Sequence, residues 1–419
     1  MLNRREVLAR TLKGSALLSL GTVVPQFVAN TAAAAEKGKD NILVVIELNG
    51  GNDGLNTVIP YTDDLYHKNR PTLRQTREQV VRVTDDIGLN AGLRNLEPML
   101  ANLAIVQGVG YPNPDRSHFE SMDIWQSADP RRKVGTGWLA RSGPQLTDVQ
   151  GGIPMMHVGQ GQLPLALKGA TSGAISVNNK MPYRLDLGGG SDEQHKARRS
   201  LIETLGQVEG SEDDASMLQF VQRRQVQTLT TLDRLQEVLR NGNRAGDQQW
   251  YYGRNYGPKS LPNKLNLVAQ LIQRDFGTRV FYVMRDDFDT HSNQAEPHKG
   301  LMEEIAAGIR QMYDVLRQSG NDKRVRVLTY SEFGRRVKEN ESKGTDHGAA
   351  SNLFVAGPSV KGGVIGAHPK LDDLDDGDLK FHTDFRRVYA ALLEGWLGIS
   401  SETVLQGKFQ PLPQLMEKV

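Results

Sequence analysis

The chain reads as an α/β protein with a doubly wound, mainly parallel sheet, and three observations predict it. Asn41 to Leu48 (NILVVIEL) is almost continuously apolar, as a strand buried on both faces must be. Similar short runs recur at Leu103 to Val109, Arg279 to Met284, Arg324 to Tyr330 and Asn352 to Ala356. Helical patterns lie between some of them. Leu265, Val268, Leu271, Ile272 and Phe276 share a face before a stop at Gly277, and Leu301, Ile305, Ile309, Met312 and Leu316 share another before Gly320. Strands alternating with helices are the signature of a parallel sheet covered on both sides.

The N-terminal 35 residues form a separate unit. Arg4-Arg5, Arg10 and Lys13 precede an apolar stretch from about Gly14 to Val28 and a small-residue run, Thr31 to Ala35. That order is a signal peptide's, and the paired arginines before Glu6-Val7-Leu8 resemble the twin-arginine export motif. The expected location is therefore periplasmic or secreted, with the twin-arginine export machinery as a partner. The stretch is broken by Gly21 and Pro25 and is short for a membrane span, so 36–419 is expected as an α/β domain with no stable span.

The leader carries four basic residues and one acid, so the chain's net +2 becomes −1 without it. A near-neutral domain gives no electrostatic case for nucleic acid. The absence of cysteine excludes disulfides and thiolate metal sites, leaving carboxylates and imidazoles as metal ligands. The polar segment from about 188 to 263 carries Leu218, Val221, Val226, Leu229, Leu232, Leu235 and Leu239 on an approximate helical stripe. It predicts a helical insertion; the stripe is too short for the sustained heptads of a coiled-coil arm.

Five segments could carry chemistry. Asn49-Gly50-Gly51-Asn52-Asp53-Gly54 follows the first strand, and ligand sites in open parallel sheets lie beyond the strands' carboxyl ends. Asp53 there is either a metal ligand or part of an ordinary Asn/Gly turn. Pro112 and Pro114 precede Arg116-Ser117-His118, with a helix predicted from Phe119 to Ala128. Ser117 is then an N-cap, or a nucleophile whose anionic substrate is held by helix N–H groups and Arg116. Asp286-Asp287-Phe288-Asp289-Thr290-His291 puts three carboxylates and an imidazole at a strand end; Asp289 and His291 point the same way on an extended backbone. Glu332 follows another strand, and Asp346-His347-Gly348 precedes the next.

These residues sit within LNGGNDGLNTVIPY (48–61), SHFESMDIWQSADP (117–130), FDTHSNQ (288–294), YSEFGRRVKEN (330–340) and GTDHGAASNLFVAG (344–357). In these motifs and their order the sequence resembles an exported bacterial family of unknown function, a branch of the alkaline phosphatase and sulfatase superfamily. The resemblance implies a bimetal site at the strand ends. Asp53 and a helix-start nucleophile, Ser117, would belong to one metal, and Asp289 and His291 to the other. Where members usually carry Asp-His-Gly, this chain has Glu332-Phe333-Gly334; Glu332 can replace the aspartate, but Phe333 cannot replace the histidine. His347 matches a last ligand histidine, with His382 a further candidate. Roles for His118, Asp287, His298 and Asp346 are not assigned by the motifs. The implied activity is a hydrolase or transferase of phosphate or sulfate esters, small or polymeric. Its divalent metals would be zinc, calcium, magnesium or manganese. The alternative is a non-catalytic exported protein binding an envelope polymer or a partner protein on the same fold.

Overall fold

The structure, a computed structural model, describes residues 41–146, 153–160, 162–169, 174–177 and 259–416, with isolated residues between 191 and 257. The leader lies outside the described residues, as does most of the expected 188–263 insertion. Within that insertion Leu235 packs into the core, and Gln249–Tyr251 pairs antiparallel with Arg254–Tyr256. No helix among the described residues is long and apolar enough to cross a membrane.

Among the described residues nine strands form one sheet: β1 (Ile42–Leu48), β2 (Leu103–Gly110), β3 (Met155–Val158), β4 (Ala174–Val177), β5 (Val280–Arg285), β6 (Val325–Tyr330), β7 (Ser351–Ala356), β8 (Gly363–Ile365) and β9 (Thr383–Asp384). The order is β8-β2-β7-β6-β1-β5-β3-β4, with β9 also on β2. β1 is central and runs parallel to both neighbours, Leu43 facing Val280 on one side and Arg326 on the other. β7 alone runs against the rest, antiparallel to β6 and to β2.

The continuous apolar run of β1 follows from burial on two faces. Ile42, Val44, Ile46 and Leu48 join one core with the helices α4 (Leu261–Gln273) and α5 (Ala295–Gln318). Leu43 and Val45 join the other, with α2 (His118–Ser127), α3 (Trp138–Leu146) and α6 (Phe385–Ala391). Helices on both faces make the sheet doubly wound. A short helix, α1 (Gly54–Thr57), begins five residues after β1 ends, capped by Asp53, whose side chain accepts from the Asn56 N–H.

Because β1, β2, β5 and β6 are parallel, the segments following each of them leave by one edge. β7 is reversed, so the residues before it, including His347, arrive at that same edge. The direction of a single strand thus brings a fifth segment to the site.

Beneath this edge β1 carries a buried acid. The Glu47 carboxyl accepts from Tyr282 and from Gln126 Nε2, at 3.0 and 2.9 Å for the latter, and Tyr282 and Tyr330 hydroxyls lie 2.6 Å apart. No cation among the described residues answers it, and burial pushes Glu47 up to about 7 against those hydrogen bonds. The folded state therefore favours the protonated acid. Its contribution is fully present below the ordinary value of 4.5 and is lost as pH rises through about 7. That shift corresponds to ~3 kcal/mol. Thermal melts between pH 5 and pH 8 should show wild-type stability falling, and Glu47→Gln should flatten that fall; an unchanged slope in the variant would place the titration elsewhere.

Candidate metal centre

Arg335 organises the edge. Its side chain is wholly buried and donates to Gly51 O at 2.6 Å, Thr345 O at 2.7 Å, Phe288 O at 3.1 Å and the Asp289 carboxylate at 2.6 Å, as well as to Gly50 O. One guanidinium so ties the turn after β1 to the segment after β5 and to the approach to β7. The glycines of that turn are required by contact as well as by conformation. At Gly50 (φ +119°) a Cβ would lie 2.5 Å from Asp289 N, and at Gly51 (φ +76°) 2.2 Å from the Phe333 ring.

Asp289 is the focus of three imidazoles. His291 Nε2 lies 2.9 Å and His347 Nε2 3.1 Å from its Oδ1, and the two Nε2 atoms are 3.0 Å apart. His118 Nε2 faces Oδ2 at 3.4 Å, is buried, and makes no hydrogen bond. His118, Asp289 and His347 offer ligand atoms that all lie within 4.8 Å of one another.

The other ring nitrogens are held by oxygens. His118 Nδ1 donates to Glu332 Oε1 at 2.8 Å and His347 Nδ1 to the Arg116 carbonyl at 2.8 Å, while His291 Nδ1 lies 3.4 Å from Asp346 Oδ1. An acceptor at Nδ1 fixes the proton there and leaves Nε2 as a lone pair, the pattern found behind metal-binding histidines. His118 and His347 so oriented face Asp289, whose Oδ1 also accepts from Arg335 at 2.6 Å, and His291 Nε2 lies 2.9 Å from that oxygen. The spacings of 2.9–3.1 Å among Asp289, His291 and His347 suit atoms each about 2.0–2.1 Å from a common ion, with His118 farther out at 3.4 Å from Asp289. The donor set fits a metal.

Burial raises Asp289, but Arg335 outweighs it and holds the carboxyl near 2. The hydrogen bond to Glu332 raises His118, and burial lowers His347. Phe333 walls one side, its ring centroid 4.9 Å from that of His118 and 4.8 Å from that of His347.

Several expected site residues are placed differently. Asp53, expected as a metal ligand, is wholly buried, paired with Arg70 at 2.5 Å and also bonded by Gln294 Nε2. Arg70 outweighs the burial that would raise its carboxyl, and the net shift is downward. Its oxygens are occupied, so it braces the turn from beneath. Glu332, also expected as a ligand, accepts from Gly50 N at 2.9 Å, from Ser331 Oγ at 2.9 Å and from His118, so it orients the His118 imidazole. Arg116, expected to hold substrate oxygens, pairs its guanidinium with Asp376 and Asp378, at 3.1 and 2.7 Å, and only its carbonyl reaches the site. Asp289, His291 and His347 are brought together.

Ser117 occupies the N-cap position of α2 but its side chain makes no capping bond. It stands between Arg116, whose carbonyl holds His347, and His118. His118 is the residue the motifs left unassigned. Its signal was adjacency to the serine at a predicted helix start. His298 is buried against Asn52 at 3.0 Å, His382 bonds Ala367 O at 2.8 Å, and Asp287 pairs with Arg285; none joins the cluster.

The fold and the cluster define an α/β protein with three histidines gathered around one aspartate at the carboxyl edge of its sheet. The chain belongs to the family described as "Protein of unknown function (DUF1501)", whose model matches residues 40–404. None of the curated proteins compared matches it. Among solved structures it is similar to the PsFucS1 sulfatase from Pseudoalteromonas sp., with 11% identity, a TM-score of 0.39, and coverage of 94% of this chain and 75% of that one. It is similar to the lipoteichoic acid synthase LtaP from Listeria monocytogenes, with 8% identity, TM-score 0.37, and 94% and 81% covered. It is also similar to a protein in the alkaline phosphatase superfamily from Vibrio parahaemolyticus, with 9% identity, TM-score 0.30, and 82% and 71% covered.

Breaking a buried ion pair by removing one charge costs about 3–5 kcal/mol. Asp53→Asn should therefore lower the melting temperature sharply and leave the metal content per folded chain unchanged. Lost metal at an unaltered melting temperature would restore Asp53 as a ligand.

Proposed function

We propose that this chain is an exported, metal-dependent hydrolase or transferase of phosphate or sulfate esters. One divalent cation would be held by His118, Asp289, His291 and His347, with Ser117 as nucleophile. The observation that carries the reading is the convergence of three imidazole Nε2 atoms on Asp289 beside a helix-start serine whose hydroxyl makes no cap bond. Three imidazoles with one carboxylate suit zinc or manganese better than calcium or magnesium, which prefer oxygen ligands throughout.

A divalent metal bound there would stabilise charge on an ester oxygen as a Lewis acid and make a nearby hydroxyl more acidic. The remaining contributions come from the chain. Arg335 and Glu332 fix Asp289 and His118 in place, and the Arg116 carbonyl fixes His347. The ten-residue α2 directs its first N–H groups at the region around Ser117, where they favour a phosphate or sulfate group. Arg116 is committed to two aspartates, so this helix end, rather than a guanidinium, is the chain's anion-binding group. The pairing of Asp53 with Arg70 supports one cation rather than the two implied by the resemblance.

The experiment is a panel of phosphate and sulfate esters assayed on chain recovered from the periplasmic fraction, where the reading expects it. Ser117→Ala should reduce turnover by roughly 10⁴-fold while the metal content stays the same. Full turnover in Ser117→Ala would remove that residue as nucleophile. A wild-type chain that holds no metal and is inert to every ester would overturn the enzyme reading in favour of non-catalytic binding.

A further inference from the structure

We infer that Arg116 and Arg336 form a second anion subsite beside the histidine cluster, for a sulfate or phosphate group, and that Asp376 fills it when that group is absent. The inference makes no use of the proposed cation. Leu374–Asp375 and Asp378–Leu379 pair as an antiparallel hairpin, joined by Asp376 (φ +49°) and Gly377 (φ +85°). Two positive φ values make a type I′ turn, for which Asp-Gly is a favoured pair. Leu379 anchors the stem in a small core with Leu371. The tip meets two guanidiniums: Asp376 Oδ2 lies 3.1 Å from both Nη1 and Nη2 of Arg116 and 3.4 Å from Arg336 Nη2. Both arginines belong to the wall of the cluster. Arg116 precedes Ser117, and its carbonyl accepts from His347. Arg336 follows Arg335, and its N–H donates to the Asp346 carbonyl at 3.0 Å.

The two aspartates that meet these arginines are unlike. Asp378 has a side chain only 4% exposed and takes Arg116 Nε and Nη2 on one oxygen at 2.8 and 2.7 Å, a fixed counter-ion. The Asp376 side chain is 75% exposed, and all its contacts fall on a single oxygen at longer range. An exposed ion pair adds little stability and competes poorly with dissolved ions. Rotation of this one side chain opens the position. Arg116, Arg336 and Asp378 then carry a net positive charge, which an external anion balances. A tetrahedral oxyanion has an oxygen for each guanidinium, where Asp376 shares one between the two. The turn itself does not demand the charge, since asparagine suits its first position equally well. While Asp376 is docked the pair is neutralised and the reacting ester group is left to the end of α2; the arginines are a second position.

The test is sulfate binding at low salt, read by calorimetry on the chelator-treated, metal-free chain. Asp376→Asn keeps the turn and removes the charge. It should bind sulfate about tenfold more tightly than the wild type, at an unchanged melting temperature. Adding Arg336→Gln should abolish the gain. Equal affinity of the wild type and Asp376→Asn overturns the subsite. So does a gain that survives Arg336→Gln, because the anion would then sit at the end of α2. A lower melting temperature with no gain in affinity also overturns it and makes Asp376 a structural counter-ion. A second arm, on metal-loaded Asp376→Asn, compares propane-1,3-diphosphonate with methylphosphonate. A preference for the diphosphonate that Arg336→Gln removes places the second group on the substrate, and equal affinities assign the subsite to a free anion. The first arm contains no metal, so its outcome stands even if the cation-site reading fails.

Discussion

The buried guanidinium of Arg335 is the interaction on which the edge of this sheet depends. Strands β1 and β5 lie side by side, but their continuations are irregular backbone with carbonyls that no strand ladder satisfies. Arg335 supplies donors for Gly50, Gly51, Phe288 and Thr345 at once and turns its remaining valence to Asp289. A buried charge of this kind is tolerated only with such complete pairing. The two glycines are the steric counterpart: the turn closes onto Asp289 and Phe333 so tightly that a side chain at either would collide. The geometry of the acid at the centre of the site is therefore inherited from backbone carbonyls rather than from a flexible loop.

Charge balance follows. Arg335 neutralises one carboxylate, Asp289, and Arg70 neutralises another, Asp53. These two pairs account for the acids that the resemblance assigns to separate metals. What they leave unbalanced is not a net negative charge but a set of lone pairs, three Nε2 atoms oriented by acceptors at Nδ1. The Phe333 ring against His118 and His347 lowers the local polarity on one side, which strengthens whatever ion–ligand attraction exists there.

Much of this was legible in the sequence. The five strongest apolar runs are strands, and the helix read from Phe119 onward begins one residue earlier, at His118. A continuous hydrophobic run has few alternatives when both of its faces are buried. Asp289, His291 and His347 were legible because they flank strands on the edge where parallel sheets place their sites. Asp53 faces Arg70 rather than the cluster, because position on a glycine turn does not say which way a carboxylate faces. Its partner Arg70 lies seventeen positions away in a segment with no motif of its own. Glu332 and Arg116 were placed in the right neighbourhood with the wrong atoms in contact: a carboxyl that holds a histidine, and a carbonyl that does so in place of the guanidinium. Such second-rank contacts depend on the packing of distant segments, which single motifs do not encode. The insertion expected at 188–263 falls largely outside the described residues.

The central claim is that three imidazoles and Asp289 share one ion. X-ray absorption at the metal edge of the zinc-loaded chain reads this directly. The account predicts nitrogen and oxygen ligands at about 2.0–2.1 Å with outer-shell scattering from at least two imidazoles, diminished when His118 and His347 are both replaced by alanine. A spectrum with oxygen ligands and no imidazole scattering, or one unaltered by the double replacement, would contradict it.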